Sequence, residues 1–371
     1  MKKIILSIAA VAALAACTKS EIAYEQTGEI AFSPVAKTLT KSVAGYNYGN
    51  GDTYYPTDKD GNPTGQLGKF DGVFPTNVSL YVFANAQDEE DGVLMNSWTS
   101  PYFKKALFKH SSSKGEEDVQ NSVPTTGAYA GDPTRYWPNV KTLKFVGYSD
   151  ACNVSNLTPT VNEDLSVLTI TGYVQDNSRT SEGANDLMWF PVTKDYDKNE
   201  GEIPAQMKHA CSWITINVAV AENIKDNGYK LNKLEALQLI HEGNVDCKAT
   251  TAEWKFAKNP VKDDETYFVD AEGVALSITA TKYETNDNNF IVLPQAPVDL
   301  NVTYTYTSDA TNHLTLTETK SVSLEFDGDK AWASGVHYIY NVTITATEIL
   351  IDPVVVDWTN FDGNNIGKEL N

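Results

Sequence analysis

The chain of 371 residues carries 29 Lys and Arg against 49 Asp and Glu, a formal net charge of −20 at pH 7. So acidic a surface repels phosphate backbones, which makes nucleic acid a poor partner. At about 150 residues per domain, the length predicts two domains.

The N terminus has the layout of a bacterial export signal. The chain begins Met-Lys-Lys, and residues 4–15 form an apolar run that suits a signal peptide but is too short to span a bilayer. The small residues before Cys17 form a lipoprotein cleavage box, so residues 1–16 are predicted to be removed between Ala16 and Cys17. Acyl chains such as palmitate on Cys17 would then anchor the chain in outer-membrane lipid. The alternative is an ordinary signal peptide followed by a chance cysteine.

The first predicted strand covers residues 29–36, Glu-Ile-Ala-Phe-Ser-Pro-Val-Ala. Its proline restricts it to a sheet edge or to an early end. Three apolar residues would pack inward from this strand: Ile30, Phe32 and Val35. Two lysines follow at once in a polar loop that a protease can reach: Lys37 and Lys41.

The rest of the chain is a series of short apolar segments with the period of β-strands. In the first half, strands are predicted at residues 78–84, 102–108, 143–148 and 165–174, and residues 186–191 form a further apolar segment. In the second half, they are predicted at residues 212–220, 233–240, 275–280, 290–294, 301–307, 314–326, 338–347 and 349–358. The leucine spacing of residues 233–240 also fits a short helix.

Turn signals recur about every 8 to 15 residues between these segments, a spacing typical of antiparallel sandwiches and barrels. No segment of ten or more residues has a convincing helical apolar stripe. A polar stretch at residues 193–204 separates apolar strands and predicts the domain boundary. The sequence therefore predicts two all-β domains in tandem, residues 42–200 and 201–371.

The sequence offers no chemistry typical of an enzyme. The five histidines are scattered without metal-ligand spacing, and no nucleophile elbow, phosphate loop or dinucleotide fingerprint occurs. We therefore predict no catalytic residues, no metal and no cofactor, and we interpret His209 and His337 as structural. Beyond Cys17, three cysteines leave two alternatives open, buried thiols or one disulfide: Cys152, Cys211 and Cys247.

Seven short stretches, in this order, resemble the fimbrillin-like proteins that build type V pili, the lipoprotein-anchored fimbriae of Gram-negative bacteria. They are residues 29–33 with the lysine-containing Thr-Lys at 40–41, residues 136–139 with 143–148, 186–189, 208–209 leading into 212–218, 290–295, 332–340 and 354–358. Each is weak alone, because strand and turn residues are common. Together they span nearly the whole mature chain.

The resemblance implies two transthyretin-like β-sandwich domains and a route of assembly. A lipidated precursor reaches the outer membrane, and a trypsin-like protease cuts after a basic residue behind the first strand. Residues 17–41 would then be the propeptide, with Lys41 or Lys37 as the cleavage site. Family members often have arginine there. The excised strand leaves a groove, which a strand from the next subunit fills.

For the donated strand, residues 349–356 are the most strand-like late segment, with Pro353 interrupting it. The side chains that would enter the groove are Ile349, Ile351, Val354 and Val356. The implied partners are other fimbrial subunits, in a homo- or hetero-polymer, and the position of the chain as stalk, tip or accessory subunit stays open. The alternative function is a lipid-anchored glycan-binding or nutrient-uptake module with a host or bacterial surface ligand.

Overall fold

The computed structural model describes residues 28–36, 46–48, 54–56, 79–110, 129–138, 141–149, 157–175, 186–193, 195–196, 203–283, 290–308, 314–326 and 330–357. This part of the chain is almost entirely β-structure, which confirms the predicted all-β class. A 3-10 helix, Glu222–Asn227, connects two strands of the second half.

The first twelve strands are β1 (Ala31–Ala36), β2 (Tyr46–Tyr48), β3 (Tyr54–Pro56), β4 (Leu80–Ala86), β5 (Glu89–Glu90), β6 (Val93–Leu94), β7 (Ser100–His110), β8 (Tyr129–Gly131), β9 (Leu143–Ser149), β10 (Thr158–Val161), β11 (Leu168–Val174) and β12 (Met188–Phe190). The later ones are β13 (Ile203–His209), β14 (Ser212–Val220), β15 (Lys230–Ile240), β16 (Glu242–Cys247), β17 (Ala252–Lys255), β18 (Lys262–Ala275), β19 (Thr281–Lys282), β20 (Phe290–Val292), β21 (Asp299–Thr307), β22 (Thr315–Ser323), β23 (Val336–Ile344) and β24 (Ile349–Asp357).

Seven strands close into a barrel in the order β1-β13-β12-β9-β4-β7-β8. Its interior follows from strand alternation, since every second residue of β4 and β9 is apolar and faces inward. The buried residues that fill it come from all seven strands and include Leu80, Val82, Phe108, Tyr129, Phe145, Phe190 and Ile203. Closure removes free sheet edges, so the barrel depends on every strand being present.

A four-stranded sheet, β10-β11-β16-β17, covers the outward face of part of the barrel. Phe83, Val146 and Trp189 point out of the barrel into a second core with Ile170 of β11 and Val245 of β16. The same core continues to residues of the second half, namely Cys211, Trp213, Ile291 and Leu293. An apolar core of this kind holds the two halves of the chain together.

The second half is a β-sandwich of two sheets. One has the order β19-β14-β23-β24, with β20 also paired to β14, and the other has the order β18-β15-β21-β22. A third core lies between them, built from alternating residues such as Ile216 on β14, Leu234 on β15 and Val302 on β21. Residues 233–240 are thus a strand within β15, and the helical alternative for them is wrong.

The hydrogen bonding crosses the predicted division between residues 200 and 201. Strand β13 lies after that division but belongs to the barrel, where it pairs with β1 and β12. Strand β16 also lies after it and pairs with β11 of the first half. The polar stretch that predicted the boundary is therefore followed by one more barrel strand, and the exact domain ranges stay a prediction.

Candidate functional site: the groove that holds the first strand

Strand β1 closes the barrel by pairing on both sides. It runs parallel to β13 in an unbroken register from Phe32 opposite Ile203 to Ala36 opposite Met207. On its other side it is antiparallel to β8, with Ala31 opposite Ala130. We call the space between β8 and β13 that β1 occupies the groove. Pairing with β8 ends at Phe32, so Pro34 lies where β1 pairs with β13 alone, which is a position that a proline tolerates.

The two predicted groove-filling residues at the start of the strand are fully buried. Ile30 and Phe32 each have 0% exposure. The ring of Phe32 meets Phe108 edge-on at a centroid distance of 4.8 Å and Phe145 edge-on at 5.2 Å, and it lies 5.7 Å from Phe190. Edge-to-face geometry is favourable for aromatic pairs, so Phe32 fits an aromatic pocket built from three other strands.

The loop after β8 holds the beginning of this segment. The amide of Ile30 donates to the Arg135 carbonyl oxygen at 2.7 Å, and the amide of Trp137 donates to the Gly28 carbonyl oxygen at 3.1 Å. Gly28 has φ of +103°, a conformation that favours glycine. The Tyr102 hydroxyl fixes the loop by donating to the Tyr136 carbonyl oxygen at 2.7 Å. The groove therefore extends past β8 into this loop.

The remaining N-terminal predictions fall partly outside the described residues. Val35 lies opposite Gln206 of β13, and its side chain is not among those described. Its role in filling the groove stays a prediction. The lipidation and cleavage residues all lie outside the described part: Ala16, Cys17, Lys37 and Lys41.

The predicted donor segment is β24, and it lies at the edge of its own sheet. It pairs antiparallel with β23 over its whole length, from Ile349 opposite Ile344 to Asp357 opposite Val336. Ile349 and Ile351 pack against the C-terminal core, whereas Leu350 and Val354 are 50% and 40% exposed. Val356 belongs to the strand, but its side chain is not described. In the described part of the chain, β24 pairs with β23 alone.

The two histidines beside apolar strands have structural contacts. Nδ1 of His209 lies 2.6 Å from Oδ2 of Asp186, and both side chains are buried. His337 stacks on Trp213 at a centroid distance of 3.6 Å, and its Nε2 lies 2.8 Å from Oγ1 of Thr215. Burial, helped by the positive charge of Lys282, lowers the pKa of His337 to about 3. The ring is thus neutral at physiological pH.

The described residues contain no cluster of metal ligands and no membrane-spanning helix. No group of three or more His, Cys, Asp or Glu there is placed to bind a metal ion. None of the helices there has the length and apolar character that a membrane crossing requires. Cys211 and Cys247 are buried thiols rather than a disulfide pair.

Comparison with known proteins identifies the family. The family model described as fimbrillin-like matches residues 77–358, which is most of the chain. The chain belongs to the fimbrillin-like family. Fimbrillins are the protein subunits of fimbriae, so this fimbrillin-like chain is a cell-surface fimbrial subunit and not an enzyme.

This fimbrillin-like chain is similar to solved structures of other proteins. A fimbrial protein from Bacteroides vulgatus is 15% identical and has a TM-score of 0.53, covering 77% of this chain and 94% of its own. A proposed cell adhesion protein from Bacteroides uniformis is 13% identical, with a TM-score of 0.49 and coverage of 89% and 99%. Another from Parabacteroides distasonis is 11% identical, with a TM-score of 0.44 and coverage of 90% and 97%. A search of curated proteins found no match.

Proposed function

We propose that this chain is exported as a lipoprotein precursor and is polymerised by donor-strand exchange once β1 has been cut away. The observation that supports this proposal is the position of β1, which closes the barrel between β8 and β13. The proposed partners are other fimbrial subunits and, through Cys17, outer-membrane lipid. A surface ligand of the fibre would be a further partner.

The geometry of β1 makes the barrel dependent on it. Burying Ile30 and Phe32 contributes about 1.5 to 3 kcal/mol for each side chain. Without β1, the facing edges of β8 and β13 would expose unpaired backbone groups beside an apolar pocket. A site of this kind is stable when another strand adds to the sheet.

The position of the two lysines supports excision of β1. Lys37 follows the last residue of the strand directly, and Lys41 lies four residues further on. Cleavage after either lysine leaves β1 bound to the barrel by non-covalent contacts alone. Strand β1 can then dissociate from the barrel, and a strand from another subunit can compete for the groove.

The experiment is limited trypsin digestion of the purified precursor, followed by a non-boiled gel and sequencing of the new N terminus. We expect a ladder of oligomers whose subunits begin at residue 38 or 42. The variants Lys37→Ala and Lys41→Ala, alone and combined, identify the cleavage site, and untreated precursor is the control. A digested protein that stays monomeric and retains β1 would overturn the proposal.

Lipid anchoring needs a separate test. Cells that express the chain are given labelled palmitate, and the wild type is compared with Cys17→Ser. We expect the label and the outer-membrane fraction to be lost together in the variant. An unlabelled wild type would refute the anchoring step and leave strand exchange standing.

A further inference from the structure

Strand β22 is a long and regular edge of its sheet. In the described part of the chain it pairs with β21 alone, through nine residue pairs without a register shift. Its residues include neither proline nor glycine. Because the free backbone groups of such an edge can pair with another chain, natural proteins usually block it with prolines, bulges or charges. The edge of β22 is therefore a candidate contact surface.

The other edges of the two sandwich sheets carry this protection or are short. Strand β18 shifts register three times against β15 and contains five acidic residues. Strand β24 is interrupted by Pro353, and β19 and β20 are only two and three residues long. Among these described edges, β22 is the long one without a bulge or a proline.

The backbone groups that face the open side of β22 belong to alternate residues. The amide of Ser308 donates to the Leu314 carbonyl oxygen, and the amide of Leu324 donates to the Val298 carbonyl oxygen, both at 3.0 Å. In an antiparallel ladder this pattern makes the even-numbered residues of β22 the ones that hydrogen-bond with β21. The odd-numbered residues point their amide and carbonyl groups to the open side: Thr315, Thr317, Thr319, Ser321 and Ser323.

The sequence of β22 has nearly the same chemistry when it is read in either direction. Residues 315–323 read Thr-Leu-Thr-Glu-Thr-Lys-Ser-Val-Ser, so hydroxyl residues alternate with aliphatic and charged ones on both sides of Thr319. The two charged residues of the strand have opposite signs and flank its centre, at Glu318 and Lys320. If two such strands pair antiparallel about Thr319, each residue lies opposite a residue of matching chemistry.

We propose that the edge of β22 binds a second copy of this chain, with the two β22 strands antiparallel about a two-fold axis at Thr319. Such an interface is isologous, because the same edge serves both copies. The odd-numbered residues then form hydrogen-bonded pairs, which supply about ten backbone hydrogen bonds. The two sheets become one continuous sheet across the axis.

The even-numbered residues form the closer, non-hydrogen-bonded pairs, in which side chains interact most directly. Glu318 of each copy lies opposite Lys320 of the partner subunit. Leu316 of each copy lies opposite Val322 of the partner subunit. Charges thus meet opposite charges and aliphatic side chains meet aliphatic ones, which selects this register over a shifted one.

Both charged side chains are held at the edge and remain accessible. The carboxylate of Glu318 accepts hydrogen bonds from the Tyr306 hydroxyl at 2.7 Å and from the Tyr304 hydroxyl at 3.0 Å. These bonds lower the pKa of Glu318, so it is ionised at neutral pH. Nζ of Lys320 donates to the Thr347 carbonyl oxygen at 3.0 Å. The side chains of Lys320 and Glu318 are 31% and 38% exposed.

The charge of the whole chain favours this edge as the place of contact. Copies with a net charge of −20 repel one another, so they approach most easily where the surface is locally neutral. The two charges of β22 cancel, and the other residues of the strand are uncharged. Where copies stand in neighbouring fibres, as the proposed function has it, the same contact would join the fibres side by side.

The first test measures dimer formation by sedimentation equilibrium of the uncut precursor in reducing buffer. In Lys320→Glu, carboxylates face carboxylates at both charged pairs, so we expect the dissociation constant of the dimer to rise about 10-fold or more. Lys262→Glu is the matched control, because it makes the same charge change at an exposed position of the β18 edge and should leave the dimer intact. A monomeric wild type, or a Lys320→Glu dimer as tight as the wild type, would overturn the inference.

A charge exchange between copies provides the rescue. Glu318→Lys should also dimerise weakly alone, but an equimolar mixture with Lys320→Glu should form a heterodimer, because every charge again lies opposite its opposite. Circular dichroism checks the fold of Glu318→Lys, which loses two tyrosine hydrogen bonds. A mixture of folded variants that stays monomeric would contradict the pairing.

The second test determines the register with cysteines in a Cys17→Ser, Cys152→Ser background. Thr319→Cys places two cysteines opposite each other across the axis, with Cα atoms about 5.5 Å apart, which suits a disulfide. We expect a reducible dimer after mild oxidation. Thr317→Cys is the matched control, since it is equally exposed but lies opposite Ser321 of the partner subunit.

The control should therefore link only when it is mixed with Ser321→Cys. A link in Thr317→Cys alone, or none in Thr319→Cys, would overturn the register. Both tests use the uncut protein, so their failure would leave strand exchange standing, and a failure of strand exchange would leave the dimer standing.

Discussion

The substitution Phe32→Ala in the full precursor tests whether the first strand is part of the barrel core. The ring has 0% exposure and makes two edge-on aromatic contacts, with Phe108 and Phe145. Truncating a buried phenylalanine costs about 3 to 5 kcal/mol. Because a domain is stable by about 5 to 15 kcal/mol, this loss is a large fraction of the whole. The measurement is the free energy of unfolding in urea.

A local readout separates this effect from general damage to the protein. Phe290→Ala is the matched control, since Phe290 is 3% exposed and meets Tyr267 edge-on at 5.0 Å in the C-terminal core. Both variants should lose stability, but Phe32→Ala alone should accelerate hydrogen exchange in β13. A loss below about 1 kcal/mol, or unchanged exchange at residues 203–207, would refute the claim that β1 seals the barrel.

Three further predictions follow from buried groups. Because the pKa of His337 is lowered from 6.5 to about 3, unfolding takes up a proton in this pH window, and stability falls by up to about 1.4 kcal/mol per pH unit as pH decreases. Urea unfolding at pH 7 and 4.5 should show a smaller loss for His337→Gln, and an equal loss would contradict the assignment. Gly147→Ala should cost about 1 to 3 kcal/mol, since its new Cβ would lie 2.5 Å from the ring of Phe190; thermal unfolding measures this, and a neutral result would refute the close packing. The buried thiols of Cys211 and Cys247 should resist iodoacetamide in the folded protein and react in urea, and rapid labelling without urea would contradict their burial.

The strands that the sequence predicted are those whose own residues show the apolar pattern of a β-strand. Strand β14 has six apolar residues among its nine because both of its faces are buried, and β23 alternates clearly. Ile30 and Phe32 were found in the same way, from a two-residue period. A period of two shows which residues face a core, but it does not show which core.

Strands β13 and β18 were not predicted, because their own residues lack a clear strand pattern. They form strands because neighbouring strands pair with them. Strand β13 contains Pro204 and begins at the end of the polar stretch that predicted a linker, and its pairing with β1 makes it a strand. Strand β18 is an acidic, largely exposed edge strand held by β15. The strand predicted at residues 275–280 is wrong, since the chain leaves the sheet after Ala275.

The surroundings of β1 in the groove could not be predicted from local sequence patterns either. The pocket around Phe32 combines rings from β7, β9 and β12, which are distant in sequence, so no local pattern could assemble it. The backbone contacts of the loop after β8 with Gly28 and Ile30 are also long-range. The filling residues were predictable, whereas their surroundings were not.

The interleaving of the two halves has a consequence for how this protein can evolve or be dissected. A fragment that stops at residue 200 lacks β13, so β1 and β12 would each lose a neighbour, and the small outer sheet would lose β16 and β17. The complementary fragment would begin with β13, which would lack both of its partner strands and expose Ile203, Ala205 and Met207. Gene fusion or domain shuffling at the polar stretch is therefore disfavoured, because neither half would keep all the strand pairs that it has in the whole chain.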